Sequence, residues 1–276
     1  MKISVLGCGW LGFPLAIRLL EDGFEVNGST TNPQKLNFLK KHGITPFEVK
    51  FSPQLITPLQ EEFWFSDVLV INIPPSRFSD KSENFHIIQI ESILKFAKRY
   101  DVKNILYVSS TSVYPECNQL VDEDTEINAH NTQHYAIWEA ENRIRNSYGK
   151  ASTIVRMGGL MGANRIPGKY FSGKSVENFN VPVNYIHRTD AVEIIRKIIH
   201  QQCWGEILNA VAPYHPTRKE VFQHSCVKMK LPLPHFIDTN TQPPYKIVDS
   251  SKVQKLLNYA FRYPNPTLFD YDEIIE

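Results

Sequence analysis

Tyr135 and Glu139 stand four residues apart in the stretch HYAIWE, so on a helix they lie about 40° apart and share one face. A phenol beside a carboxylate is either an ordinary solvated face or an altered acid–base pair, and the surrounding elements decide between them. A second chemical signal opens the chain: Gly7, Gly9 and Gly12 in LGCGWLGFPLA follow the GxGxxG spacing, with Trp10 and Leu11 between the last two. In that spacing the first glycine makes a tight turn, the second lets the backbone approach a pyrophosphate, and the third lets a helix pack on a strand. The helix then offers its free N–H groups to the phosphate charge. Dinucleotide binding is the chemistry implied, with Gly7, Gly9, Trp10, Leu11 and Gly12 as cofactor contacts.

About 20 residues on, where an NAD site places an acid for the ribose 2′-hydroxyl, the chain reads Ser29, Thr30, Thr31 and Asn32, with Lys35 nearby. Neutral donors there do not repel a 2′-phosphate. This favours NADP, with NAD as the alternative; the same residues could also simply cap the next helix. Two other spacings are weaker. His130 and His134 can present two imidazoles to one metal, but they straddle a helix start without an evident third ligand, so no metal is expected. Tyr170 and Lys174 repeat the four-residue spacing inside a Gly-rich stretch with no helical pattern and read as a decoy. Lys169 and Lys174 either face an anionic substrate group or are solvated.

These residues need a scaffold, and the first two-thirds of the chain supplies one. Short runs at 2–6, 24–29, 44–49, 67–73, 104–110 and 152–157 read as strands, several of them apolar without alternation, as strands covered on both faces are. Helical patterns separate most of them: one after Gly12, one from Asn32-Pro33 to Gly43, one over about 82–100, and one from about 132 to Gly149. The succession predicts an α/β fold, a Rossmann-type doubly wound parallel sheet with right-handed crossovers. After Met157 a Gly-rich polar stretch, 158–184, reads as a loop on the ligand side. A helix at 191–201 and a strand at 206–211 follow, and from Pro213 onward prolines break the chain into short pieces. The predicted organisation is a dinucleotide-binding domain over 1–165, completed by about 185–211, and a smaller C-terminal substrate lobe from 166–184 and 212–276.

Composition narrows the partners. The 276 residues carry 30 basic and 29 acidic side chains, a net charge of +1, and no long run of one sign, which argues against nucleic acid. The four cysteines show neither a CxxC pair nor regular spacing, so neither a zinc site nor a disulfide framework is indicated and a reducing cytoplasm fits. Arg18 interrupts the apolar N-terminus, which also lacks a small-residue cleavage site, and no other stretch is apolar enough to span a membrane.

With the glycine loop, VSSTSVYP (108–115) and the tyrosine helix in that order, the chain resembles an extended short-chain dehydrogenase/reductase, of the NAD(P)-dependent epimerase/dehydratase group, over nearly its full length. NILYVSSTSVYP resembles the fifth strand and its serine loop, IVRMGGLMGANR the sixth strand and nicotinamide-side loop, NYIHRTDAVEII the motif leading into the next helix, and GEILNAV the strand after it. The resemblance implies that Ser110 holds a substrate carbonyl and that Tyr135 is the proton-transferring tyrosine. It places Gly158, Gly159 and Leu160 near the nicotinamide, Ile73 and Pro74 beside the adenosine and ribose, and Ser109 on the cofactor side. Ser109, Thr111 and Ser112 could also bond substrate or simply terminate the strand. His187 and Asp190 match a motif that supports the substrate side, and a structural hydrogen-bond role is the expected one.

One departure matters. In that family a lysine follows the tyrosine by four residues, its charge making the phenol a base; here Glu139 takes the place, and a carboxylate there keeps the proton on the phenol. The chain therefore resembles the atypical branch. Its expected function is NAD(P)-dependent oxidation–reduction or epimerisation of a small carbonyl or sugar-like substrate, with Tyr135 as a neutral donor; His134, whose imidazole titrates near neutrality, is either an alternative acid–base group or a surface histidine. The alternative is a non-catalytic NADP(H)-binding sensor. Trp138 lies off the Ile137, Ala140, Ile144, Tyr148 stripe and packs on either a partner helix, which would suit a homodimer, or a neighbouring loop.

Overall fold

A computed structural model describes residues 1–52, 55–57, 60–75, 84–239 and 243–271. Its main sheet has seven strands: β1 (Lys2–Leu6), β2 (Glu25–Thr30), β3 (Thr45–Glu48), β4 (Val68–Ile71), β5 (Asn104–Ser110), β6 (Ser152–Met157) and β7 (Ile207–Ala210). They lie in the order β3-β2-β1-β4-β5-β6-β7. The pairings are parallel, with Ile3 opposite both Val26 and Val68, and Leu69 opposite Ile105. The order reverses between β1 and β4, and in open α/β sheets the crevice beyond the carboxyl ends at such a reversal is where ligands bind. The glycine loop begins there, directly after Leu6.

The buried runs explain the sheet. All four residues of β4 are buried, as are all six of β6, because helices flank the sheet on both faces. Eight helices are described: α1 (Gly12–Glu21), α2 (Leu36–Lys41), α3 (Phe85–Arg99), α4 (Tyr135–Tyr148), α5 (Pro167–Phe171), α6 (Arg188–His200), α7 (Arg218–Lys228) and α8 (Ser251–Leu257). The expected doubly wound α/β architecture is present, and the strands expected at 2–6, 104–110 and 152–157 have those bounds.

By contact density the chain forms two compact units. The first takes Met1–Ser109, His134–Val155 and Ile195–Ile207. Within it Asp22, at the end of α1, receives two hydrogen bonds from the Arg196 guanidinium, at 2.5 and 2.7 Å, and that cation holds the Asp22 carboxyl below its ordinary range. The second unit takes Ser110–Gln133, Arg156–Ile194 and the chain from Leu208. One of its cores gathers Val176, Phe179, Val183, Val221 and Phe222, another Ile166, Ala212, Phe269 and Tyr271.

Several sequence expectations are corrected. The tyrosine helix starts at Tyr135 rather than about 132, because His134, at φ −144° and ψ 83°, is not helical and only its carbonyl enters the helix ladder. The helix after Asn32 opens as a 3₁₀ turn at Pro33–Lys35 before α2, since Asn32 Oδ1 accepts from Gln34 N at 3.0 Å and tightens the first turn. The long third helix begins at Phe85; residues 82 and 83 lie outside the described part. The 158–184 stretch is not simply a loop, for it contains a strand at Gly159–Met161, α5 and a strand at Ser175–Val176. The prolyl region is made of short elements, as expected, with one exception. It holds the eleven-residue α7, started by a capping box in which Thr217 and Glu220 satisfy each other's backbone N–H groups.

Candidate cofactor and active site

The glycine loop is built from three sides of the first unit. Gly7 has φ +104° and a side chain there would come within 2.6 Å of the Asn72 carbonyl; one at Gly12 would come within 2.2 Å of the Gly7 carbonyl. Only glycine lets the strand end, the helix start and the end of β4 meet this closely. Two side chains brace the turn: Ser29 Oγ accepts from Gly7 N at 2.9 Å, and Asn72 Nδ2 donates to Gly7 O at 2.9 Å. Ile73 lies against Gly7. Both Ile73 and the exposed Pro74 sit past the end of β4, which stops at Ile71.

Gly9 differs from its neighbours. A side chain built there meets nothing within 4 Å, so packing does not demand this glycine, whereas close approach of a ligand would. No side chain caps α1, whose N-cap is Leu11, and no acid stands in its first turn. An open cradle, an uncapped ten-residue helix and an absence of negative charge there fit a pyrophosphate. Cys8, under the same loop, is buried, and burial pushes its thiol up to about 12, so it is an inert packing group.

At the end of β2 the four neutral residues have distinct duties. Ser29 is buried and engaged with Gly7, while Thr30 Oγ1 accepts from Asn32 N at 3.1 Å. Asn32 caps the 3₁₀ turn, and Thr31, Asn32 and Lys35 are exposed. The capping role considered for these residues falls to Asn32 alone, at the 3₁₀ turn, and the hydroxyl protons of Ser29 and Thr30 remain donors.

β5 ends in a polar layer that the sequence reading did not assemble. Ser109 Oγ donates to the Glu141 carboxylate on α4 at 2.5 Å, and Tyr107, two residues back on the same face, bonds its hydroxyl to His86 Nε2 on α3 at 2.9 Å. All four side chains are buried. Burial lowers His86 to about 4, so the imidazole is neutral near pH 7, and burial with the nearby Glu141 charge pushes the Tyr107 phenol up. Ser109 thus points at a helix, not at open space. Glu141 lies on the same α4 stripe as Ile137, Ala140 and Ile144; a carboxylate on an otherwise apolar stripe was the signal available in the sequence.

Tyr135 is the first residue of α4, 43% exposed, with its ring 5.7 Å from that of Trp138. The two rings are tilted at 45°. Glu139 has another partner than the phenol: Arg143 Nε donates to it at 2.9 Å, and the same guanidinium pairs with Glu91 on α3. Glu139 thus shares the guanidinium one turn further along with Glu91.

In the second unit, Ser110 Oγ accepts from Ser112 N at 3.1 Å, which leaves its own proton to donate elsewhere. Gly158 and Gly159 have a packing reason to be glycine, since side chains there would come within 2.6 Å of the Asn184 carbonyl and the Tyr185 ring. Leu160 is half-buried between them and Gly162. Asp190 accepts from Tyr259 Oη, Arg262 N and Tyr263 N. His187 Nδ1 accepts from Thr189 N, so its Nε2 carries the proton that bonds Asp270 O at 2.8 Å. Both residues anchor the 259–271 segment. Tyr170 lies in α5, which ends at Phe171, and Lys174 comes after Gly173 at φ +68°; the four-residue spacing does not put them on one helical face. Among the described residues no three of His, Cys, Asp or Glu gather as metal ligands, and no helix is long and apolar enough to cross a membrane.

A family model described as NAD(P)H-binding matches residues 7–202. Protein YeeZ of Escherichia coli (strain K12) is 29% identical over 267 residues, which is 96% of this chain and 97% of that protein. The structure of UDP-glucuronic acid 4-epimerase from Bacillus cereus in complex with NAD aligns with a TM-score of 0.78 at 17% identity, covering 99% of this chain and 98% of the epimerase. A functionally unknown conserved protein from Silicibacter pomeroyi DSS aligns at 0.76 with 19% identity, over 97% and 96% of the two chains. At such identities the two structures share this chain's fold.

Proposed function

The chain belongs to the NAD(P)H-binding family, and from that premise we propose that it is an NADP-preferring oxidoreductase or epimerase acting on a small carbonyl or sugar-like substrate. NAD is the alternative coenzyme. When bound, the nicotinamide supplies or accepts the hydride. Gly7, Gly9 and Gly12, with Trp10 and Leu11 between them, would hold the pyrophosphate on the open side of the loop. Ser29, Thr30, Thr31 and Asn32 would meet the ribose 2′-phosphate, Ile73 and Pro74 the adenosine side, and Gly158, Gly159 and Leu160 the nicotinamide side. In this reading the described geometry reserves Ser109 for Glu141.

The observation that carries the reaction class is the Ser110 hydroxyl. Its oxygen accepts from Ser112 N, which orients the hydroxyl and leaves its proton to donate, as polarising a carbonyl requires. Tyr135 would act as a protonated donor, giving its proton to the oxygen as hydride arrives. Loss of an acid–base contribution costs about 10²–10⁴ in rate, so a chain without a base-forming lysine is expected to be slow. The test is carbonyl reduction with NADPH across a panel of small aldehydes, ketones and nucleotide sugars. Ser110→Ala should lower kcat at least tenfold while leaving NADPH affinity unchanged; an unaltered kcat would remove Ser110 from the mechanism.

A second reading, a cofactor-binding protein without turnover, is favoured by one observation. Position 139 delivers no cation to Tyr135, since Glu139 is held by Arg143. NADPH binding without turnover across the same panel would support it.

A further inference from the structure

The carboxyl end of β2 has no acid of its own, but its neighbour in the sheet has one. Thr30 lies opposite Glu48 in the parallel register of β2 and β3, and residues paired in register turn their side chains to the same face. Glu48 is the acidic residue at the carboxyl ends of β1, β2 and β3. Its side chain is 20% exposed and lies 2.5 Å from the Lys50 ammonium, which is 48% exposed. An unanswered carboxylate beside the ribose-binding end of β2 would accept hydrogen bonds from a ribose diol and repel a 2′-phosphate. One paired with a cation repels the phosphate less and has fewer lone pairs to offer a diol.

We propose that Glu48 and Lys50 are the coenzyme-selecting pair of this chain. Lys50 cancels the Glu48 charge beside Thr30–Asn32, so that a ribose 2′-phosphate is accepted next to hydroxyl and amide donors and Lys35 instead of meeting an open carboxylate. The inference rests on the reading of the glycine loop as a dinucleotide site. Selectivity here is a balance across two strands, and a single charge change on β3 should tip it.

The test is fluorescence titration of NADPH and of NADH against the full chain, comparing wild type with Glu48→Gln and Lys50→Glu, each first shown to keep the wild-type melting temperature within a few degrees. The Kd ratio of NADH to NADPH should rise about 3- to 10-fold in Glu48→Gln and fall by at least as much in Lys50→Glu, the scale expected for one charge near a phosphate in a partly solvated site. A ratio unmoved in both variants, with both dinucleotides still bound, overturns the pair's role and leaves the dinucleotide site standing. A wild-type preference for NADH that Glu48→Gln abolishes also overturns it, because Glu48 would then be bonding the diol. Binding of neither dinucleotide by wild type overturns the site itself, and the pair's role with it.

Discussion

In the proposed mechanism Glu139 decides what Tyr135 can do, and its partner changes how that proposal should be tested. Arg143 holds the carboxylate and also reaches Glu91, so a lone Glu139→Lys substitution would set two like charges one helical turn apart, a destabilising arrangement. The informative variant is Glu139→Lys combined with Arg143→Gln. If Tyr135 transfers a proton, this double variant should gain at least tenfold in kcat with a carbonyl substrate or move its pH optimum downward. A pH–rate profile with the wild-type optimum and rate would show that Tyr135 takes no part. The sequence alone made Glu139 visible as a misplaced charge; it could not show Arg143 claiming it, because an i,i+4 pair of opposite charge is common on any helix. The same limit applies to Ser109, whose family position pointed to the cofactor while its hydroxyl faces Glu141.

At the scale of elements, α3 and α4 are fastened to β5 by His86–Tyr107 and Glu141–Ser109, and this layer sets a pH response. His86 falls from the ordinary 6.5 to about 4 because it is buried. The unfolded chain therefore takes up a proton as pH drops below about 6.5 while the folded chain does not, and stability should decline by about 3 kcal/mol between pH 6.5 and 4, then level off. Urea unfolding at pH 7, 5.5 and 4.5 checks it: His86→Gln should flatten that slope, and an unchanged slope would assign it to other groups. Among the elements themselves, β1, β5 and β6 were legible to the residue, since short runs rich in β-branched and other apolar residues, bounded by turn residues, leave little choice. The glycine loop was legible for the same kind of reason, as Gly7 and Gly12 are imposed by backbone contacts that no other residue allows. What escaped was α5 and α7. Prolines at 213 and 216 read as breakers, yet Thr217 and Glu220 form a capping box directly after them, and Pro167 opens α5 at its first turn, a position that tolerates proline. Gly168, rather than loosening the chain, lets α5 approach Ser225 and Cys226 on α7, where a side chain would come within 2.7 Å of both.

For the molecule as a whole, membership of the NAD(P)H-binding family and the sheet order place the proposed ligand site at the end of β1, and the glycines there divide into two kinds. Gly12 is a packing glycine: Gly12→Ala must displace the Gly7 carbonyl and should cost about 1–3 kcal/mol as an overpacked contact, read as a lower melting temperature. Gly9 has open space where a side chain would go, and on the proposed reading that space belongs to the ligand. Isothermal titration calorimetry with NADPH on wild type and on Gly9→Val therefore bears most directly on the central claim. We expect wild type to bind one NADPH per chain, and Gly9→Val to melt within a few degrees of wild type yet bind at least 100-fold more weakly, about 2.7 kcal/mol by the affinity relation. Equal binding by the two proteins, or none by wild type, would contradict a dinucleotide site at the glycine loop.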